Sequence, residues 1–367
     1  MIRTFKYKLY PTRNQIKSLE YQLSEACSLF NAAIQERRDS YRVTGRSVSY
    51  CEQSNQLKDI RASDNTGLSN FTCSQNVLRR VEKNYQAFFS RLKSKQKTSP
   101  PRFKSRSLFN SLPFKYGDGC KLRKNGKLYV QGVGELRIFL HRPLQGKIKT
   151  LTVKRSNNKY YACLCCEINN QELKLPPSDK EIGIDLGLKS FAVYSDGTVI
   201  ANPREFVKNQ KRLRVAQRSV SRKKKGSSNR KKAVSIVRGI HEKIRNRRED
   251  FQHKLSREIV NTYGTIVVED LNIKGLSSSM LAKHVNDAAW GGFLNKLSYK
   301  AESAGRLFIK VNPSGTTQRC SCCSTVVAKT LADRWHHCPN CGLSVDRDFN
   351  SALEILRLGR SLSGRTG

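Results

Sequence analysis

Three carboxylates stand at the ends of apolar runs in an otherwise strongly basic chain: Asp185 in Gly183-Ile184-Asp185-Leu186-Gly187, Glu269 in Val267-Val268-Glu269-Asp270, and Asp348 in Asp346-Arg347-Asp348-Phe349-Asn350. Acids placed there do little for solubility. Carboxylates converging from strand ends and a helix start are what a magnesium or manganese pair needs to activate water and stabilise the leaving oxygen of a phosphodiester. Each acid alone also has an ordinary explanation. Asp185 fits a strand-end turn, Glu269 or Asp270 a cap on the turn before Leu271-Asn272-Ile273, and Asp346 or Asp348 a helix cap. Their joint order, with a cysteine cluster between the second and third, points to one centre.

The cysteine cluster is the second constellation. Cys320-x-x-Cys323 and Cys338-x-x-Cys341 are separated by 14 residues, close to the spacing by which two knuckle turns hold one tetrahedral zinc between four thiolates. Gly342, directly behind the second knuckle, allows backbone amides to approach the sulfurs. Four protein ligands leave no open position, so the ion is expected to be structural and to contribute folding energy on the order of 10 kcal/mol. Cys322 is an extra thiol that could replace Cys323 only by shortening the knuckle to Cys-x-Cys. His336 and His337 are alternative ligands, with an ordinary reading as ribbon residues near phosphate. The remaining thiols, Cys27, Cys51, Cys73, Cys120, Cys163, Cys165 and Cys166, read as small hydrophobes.

The 367 residues carry 69 Lys and Arg against 29 Asp and Glu, a net charge of +40. A field of that sign attracts polyanions, and nucleic-acid binding should weaken steeply as salt rises. A ribosomal-type protein or a generic RNA binder would share this charge, and nucleic acid is the expected partner in every case. No stretch approaches the roughly 18 apolar residues of a spanning helix, and the opening Met1-Ile2-Arg3-Thr4-Phe5-Lys6 lacks the apolar core of a secretory signal. The expected location is the prokaryotic cytosol, in association with the nucleoid and without a membrane partner. In such a reducing compartment scattered thiols stay unpaired.

Regular elements must bring these groups together. Arg3 to Tyr10 alternates like a strand, and Ile16, Leu19, Leu23, Cys27, Phe30 and Ile34 then recur on one helical face. A second amphipathic run follows at Val77, Leu78, Val81, Tyr85, Phe88, Phe89 and Leu92, after a polar turn at 63–67. Pro100-Pro101 closes this helical unit. From 103 to 170 strands are expected at Leu128–Val130, Glu135–Leu140, Lys147–Val153 and Lys159–Ile168, as a small antiparallel barrel or sandwich that the first strand joins. Leu175-Pro176-Pro177-Ser178 is a linker. A hairpin over 181–200 then carries Asp185, strands over 265–268 and 307–311 follow, and helices cover about 286–304 and 349–358. Between the hairpin and Glu269, residues 204–250 hold 18 Lys or Arg against four Asp or Glu, a net of +14. That window reads as a highly charged solvated helix or as a basic helical pair lining a nucleic-acid channel. Asp185 and Glu269 at strand ends and Asp348 at a helix start is how a ribonuclease-H-like sheet presents metal ligands.

With Thr317-Gln318-Arg319-Cys320, Cys338-Pro339-Asn340-Cys341-Gly342, the opening Lys6-Tyr7-Lys8-Leu9-Tyr10-Pro11-Thr12 and Pro101-Arg102-Phe103-Lys104 added to the acidic segments, the chain resembles the TnpB (OrfB) family. These are transposon-encoded RNA-guided DNA endonucleases related to the type V CRISPR effectors. The resemblance implies a multidomain α+β protein: an N-terminal wedge β-barrel with an inserted helical recognition lobe, then a split ribonuclease-H-like (RuvC) α/β nuclease carrying a four-cysteine zinc ribbon. The implied boundaries are 1–11 and 100–175 for the barrel, 12–99 for the recognition lobe, 176–312 and 345–367 for the nuclease segments, and 313–344 for the ribbon, a target-nucleic-acid-binding module.

The resemblance further implies two Mg2+ or Mn2+ ions on Asp185, Glu269 and Asp348, with Asp346 as the alternative third ligand, and one structural Zn2+ on Cys320, Cys323, Cys338 and Cys341. Asp348 is preferred because related effectors keep an acid two residues before the Asn. The implied partners are a guide RNA from the transposon end and double-stranded target DNA beside a short flanking motif. Arg79, Arg80, Lys83 and Arg91 are basic residues of the N-terminal lobe to which no site is assigned. Ser324 where Gly is usual, the extra Cys322, and Ser351 where Ala is common are departures that touch no proposed magnesium ligand. An active nuclease is therefore expected, ahead of a transposase or a non-cleaving guided regulator.

Overall fold

The computed structural model describes residues 1–63, 67–169, 174–330 and 333–364. The heart of the expected turn, residues 64–66, and the tail 365–367 lie outside them. Two compact units divide the chain, Met1–Asn169 and Asn170–Gly367, and each mixes helix and sheet.

The first unit runs β1 (Ile2–Tyr10), α1 (Arg13–Thr44), α2 (Tyr50–Ser63), α3 (Phe71–Lys93), β2 (Ser111–Lys115), β3 (Cys120–Leu122), β4 (Lys127–Val130), β5 (Gly134–Phe139), β6 (Lys147–Ser156) and β7 (Lys159–Glu167). Its strands form one sheet in the order β2-β6-β7-β1-β5-β4-β3, with every neighbour antiparallel. The first strand lies inside this sheet as expected, so the three helices are an excursion from it. Strands β2 and β3 and helix α2 were not anticipated. β2 contains Pro113, which lacks a ladder donor and is tolerated because β2 pairs only with β6, at the edge.

Helix α1 starts at a capping box in which Gln15 N donates to Thr12 Oγ1 (3.4 Å) and Thr12 N to Gln15 Oε1 (3.0 Å). It buries Leu19, Leu23, Cys27, Phe30 and Ile34, whereas Ile16 remains 38% exposed. On α3 only the first half of the expected face is used: Val77, Leu78 and Val81 are buried, but Phe89 and Leu92 are exposed. Arg80 turns inward and donates to Ser111 O, and Arg79 donates to Tyr50 Oη. Of the scattered cysteines Cys27, Cys73, Cys120 and Cys166 are buried, while Cys51 is exposed at the start of α2.

The second unit runs β8 (Glu181–Leu186), β9 (Ser190–Tyr194), β10 (Val199–Ala201), α4 (Glu205–Ser221), α5 (Ser228–Thr262), β11 (Thr265–Glu269), α6 (Ile273–Leu276), α7 (Ala282–Ala288), α8 (Trp290–Ala304), β12 (Leu307–Val311), β13 (Trp335–His337), β14 (Ser344–Asp346) and α9 (Arg347–Ser363). Five strands form a sheet in the order β10-β9-β8-β11-β12. β8, β11 and β12 are parallel, and β9 runs against both its neighbours. Alternation along the strands divides the apolar residues between two faces. Ile182, Ile184, Ile266 and Val268 pack with Leu255, Ile259, Phe293 and Leu297 of α5 and α8. Val267 packs on the other face with Val311, Ile355 and Leu356, under α9.

The single helix expected near 286–304 is two helices, broken where Ala289 adopts φ +52° and ends the α7 ladder. The basic window forms the α4–α5 hairpin, closed by a turn at Gly226 (φ +86°) and held by a small core of Leu213, Ile240 and Ile244. Helix α4 has no side-chain cap of its own. Asp287 of α7 supplies one, accepting from Phe206 N (2.8 Å) and Val207 N (3.2 Å). Among the described residues no helix is long and apolar enough to cross a membrane.

Candidate metal centre

Strand register brings the first two acids together. β8 and β11 are parallel neighbours with Gly183 opposite Val267 and Ile184 opposite Val268, so the two-residue period puts Asp185 and Glu269 on the same face. That face is the one α9 covers. The helix comes close because a residue on each side of the contact lacks a side chain: a Cβ on Gly183 of β8 would lie 2.2 Å from Ala352 O, and one on Gly359 of α9 itself would lie 2.4 Å from Val267 Cγ2. Asp346 caps α9, its Oδ1 accepting from Asp348 N (2.9 Å) and Phe349 N (3.2 Å). Asp348, in the first turn, accepts from Arg347 Nε and Nη2, both at 3.1 Å. Asp270 pairs instead with Lys310 Nζ at 3.0 Å and is exposed.

Electrostatics single out Asp185. Burial pushes its carboxyl well above the usual range, with Glu269, Asp348 and Asp346 adding to the effect and Arg347 opposing it. Burial also raises Glu269, against the lowering effect of the Thr316 hydroxyl. Enclosed acids that disfavour one another's ionisation form an arrangement whose cost a divalent cation reverses, and hard carboxylate oxygens fit magnesium or manganese. Among the described residues these oxygens do not all lie within 4.8 Å of one another, whereas the sulfurs of Cys320, Cys323, Cys338 and Cys341 do.

The sulfur cluster is closed and locally built. Cys320 Sγ lies 3.6 Å from Cys341 Sγ, and Cys323 Sγ 3.5 Å from Cys338 Sγ. Each knuckle repeats the same two backbone bonds: Ser324 N to Cys320 O (2.9 Å) and Cys320 N to Thr325 O (2.9 Å), then Gly342 N to Cys338 O (3.0 Å) and Cys338 N to Leu343 O (2.8 Å). Ser324 (φ +62°) and Gly342 (φ +72°) occupy the same left-handed corner. Hydrogen bonds from Thr325 hold the Cys323 thiol down to about 5. Four soft thiolates with no fifth donor among the described residues fit a structural zinc ion. Cys322 is exposed and outside the set. His337 is exposed, and His336 is buried with its Nδ1 against Lys329 Nζ; neither joins the cluster.

Two further residues connect these centres. Thr316, 1% exposed, places Oγ1 2.5 Å from Glu269 Oε1 and 3.0 Å from Pro313 O. Asn350, fully buried, accepts from Ser321 N (3.0 Å) and donates to Arg319 O (2.7 Å). It thereby clamps the first knuckle to α9. From the sequence, Asn350 serves only to locate Asp348, and Thr316 carries no expected role. The available signal for Asn350 was its place two residues after Asp348; nothing local marks Thr316, whose partner is 47 residues away.

Known proteins resemble this chain along its length. A family profile described as "Probable transposase" (OrfB of IS605) spans residues 163–280, and one described as "Cas12f1-like, TNB domain" spans 290–355. A third, "Helix-turn-helix domain", spans 1–46, where the structure has strand β1 followed by the uninterrupted helix α1. A Streptomyces pristinaespiralis protein named "Putative RNA-guided DNA endonuclease" is 32% identical over 98% of this chain and 90% of its own length. The Escherichia coli protein named "Putative RNA-guided DNA endonuclease InsQ" is 28% identical over 98% and 93%. "CRISPR-associated endodeoxyribonuclease Cas12f1" of Sulfoacidibacillus thermotolerans is 30% identical over 67% of this chain and 61% of its own. With the carboxylates on adjoining strands and the four cysteines in one cluster, these similarities establish that the chain belongs to the TnpB (OrfB) family of RNA-guided DNA endonucleases, relatives of the type V CRISPR effectors.

Proposed function

We propose that the chain is a transposon-encoded RNA-guided DNA endonuclease that hydrolyses phosphodiester bonds at a centre formed by Asp185, Glu269 and Asp348. The observation that carries the reading is the β8–β11 register, which sets Asp185 beside Glu269 on the face covered by the helix bearing Asp348. Mg2+ or Mn2+, as a pair held by these carboxylates, would supply the activated water and the stabilised leaving oxygen. The protein contributes the rest. Strand ladders fix the first two acids, Arg347 orients the third, and Asp346 is engaged in capping, which favours Asp348 as the ligand.

The five-strand order, with its antiparallel second strand, supports a RuvC-like nuclease split over 176–312 and 345–367 around a zinc ribbon at 313–344. The sheet and helical excursion of the first unit support a wedge over 1–11 and 100–175 and a recognition lobe over 12–99. A guide RNA derived from the transposon end pairs with one strand of double-stranded DNA beside a flanking motif. Base pairing carries the sequence information, and basic surfaces such as the α4–α5 hairpin hold phosphate backbones.

The test is cleavage of a matched duplex by the protein with the RNA that copurifies from its native locus. Asp185→Ala or Glu269→Ala should abolish cutting while guide and target binding persist; substantial residual cleavage would remove these ligands from the reaction. A transposase is the second reading, favoured by the description "Probable transposase". Strand-transfer product formed without RNA would establish it in place of the first.

A further inference from the structure

We propose that Thr316 is a positioning residue that fixes Glu269 for divalent-ion binding, so that the base of the zinc ribbon is part of the nuclease centre. This rests on the reading of Asp185, Glu269 and Asp348 as ligands. The backbone of Glu269 is set by pairing with Val311, but pairing leaves the carboxylate free to turn about its last torsion. Thr316 removes that freedom through the 2.5 Å contact to Oε1, leaving Oε2 for a cation. A ligand oriented in advance loses less entropy on binding, and such supporting hydrogen bonds set metal affinity.

The hydroxyl serves the ionised form of Glu269. It has one proton and two neighbours, Glu269 Oε1 and Pro313 O. Towards an ionised carboxylate it donates. When Glu269 carries a proton, the carboxyl donates to Thr316, which passes its own hydrogen to Pro313 O. Only the first arrangement suits a metal ligand.

Thr316 is itself held firmly. Gly315 sits at φ +81°, and its carbonyl accepts from Gln318 N (3.0 Å) and Arg319 N (2.8 Å). Cys320 follows directly, so the partner of Glu269 and the first zinc knuckle share one short turn. Asn350 bonds on either side of Cys320, to Arg319 O and Ser321 N, from the helix that carries Asp348. The first knuckle is thus tied to two elements that bear carboxylates.

The experiment titrates Mn2+ into the RNA-free, zinc-loaded full-length chain, with free Mn2+ read by electron paramagnetic resonance. Thr316→Val, which keeps the shape and removes the hydroxyl, should retain one zinc per chain and bind Mn2+ about 10–100-fold more weakly. Thr316→Ser should restore wild-type affinity. If the Val variant loses zinc, Thr316→Ala repeats the measurement without a branched apolar group against the carboxylate. Wild-type affinity in the hydroxyl-free variant, or no recovery with Ser, overturns the positioning role. Asp185→Ala separates the two ideas. If it loses Mn2+ while the hydroxyl-free variant does not, only the positioning role falls; if it binds like wild type, the ligand assignment itself falls.

Discussion

The second unit contains two proposed metal-ligating sets that differ in how they are made. The sulfur set comes from two short knuckles with matching hydrogen bonds, and all four Sγ atoms lie within 4.8 Å of one another. The oxygen set comes from two strands and a helix, and its members stand further apart. Burial raises the Asp185 and Glu269 carboxyls, and at Asp185 the neighbouring acids add to it, whereas hydrogen bonds from Thr325 lower the Cys323 thiol. On the proposed reading, the sulfur set would lend its binding energy to folding and the oxygen set would keep coordination positions for reaction.

Removing the zinc should have the largest effect. Cys338→Ser, or a strong chelator, is expected to cost folding energy approaching the order of 10 kcal/mol seen for zinc-finger peptides and to expose 313–344 to proteases. Metal analysis still finding one zinc per chain in the variant would break the four-thiolate assignment. On the oxygen side, Asp348→Ala should reduce cleavage to background with zinc content unchanged. Asp346→Ala should cost about 1 kcal/mol of stability through the lost helix cap while cleavage survives. Exchange of those two outcomes would make Asp346 the ligand.

A smaller effect tests the cost of enclosing Asp185 beside other acids. Because the Asp185 carboxyl is held above its ordinary range, the folded state retains a proton that the unfolded state has lost. Without divalent ions, stability should therefore fall as pH rises from the ordinary carboxylate range through the raised value. Asp185→Asn should remove that fall and raise the neutral-pH Tm by about 2–4 °C; unchanged melting curves would argue that the acids do not strain the fold. The smallest effect compares the knuckles. Ser324→Gly should relieve the left-handed corner and stabilise by about 0.5–1 kcal/mol, and Gly342→Ser should cost a similar amount in thermal unfolding.

What could be read from the chain follows the same division. The cysteines were legible because each knuckle is contained in a few consecutive residues. Asp185 and Glu269 were legible as strand-end acids, but their shared face depends on a ladder between segments far apart in sequence. Thr316 was not legible, because nothing local indicates that a hydroxyl reaches back to β11. The break at Ala289 was hidden by an apolar period that continues through it, and α2 by its sparse apolar residues. β2 was obscured by Pro113, which argues against a strand, and β3 is only three residues long. The long amphipathic stretch of α3 was only half informative, since periodicity marks a face without saying how far a neighbour covers it.

The α4–α5 hairpin carries a practical consequence. Its entry is pinned by Asp287, its exit belongs to the sheet's own core, and its small apolar cluster holds the two helices together. The turn around Gly226 is exposed and contributes nothing to either metal-ligating set. Such a tip accepts new chain ends or a foreign insert far better than the framework does. It is the place to split the polypeptide into complementing halves, or to graft a ligand-responsive domain, while both metal-ligating sets remain assembled.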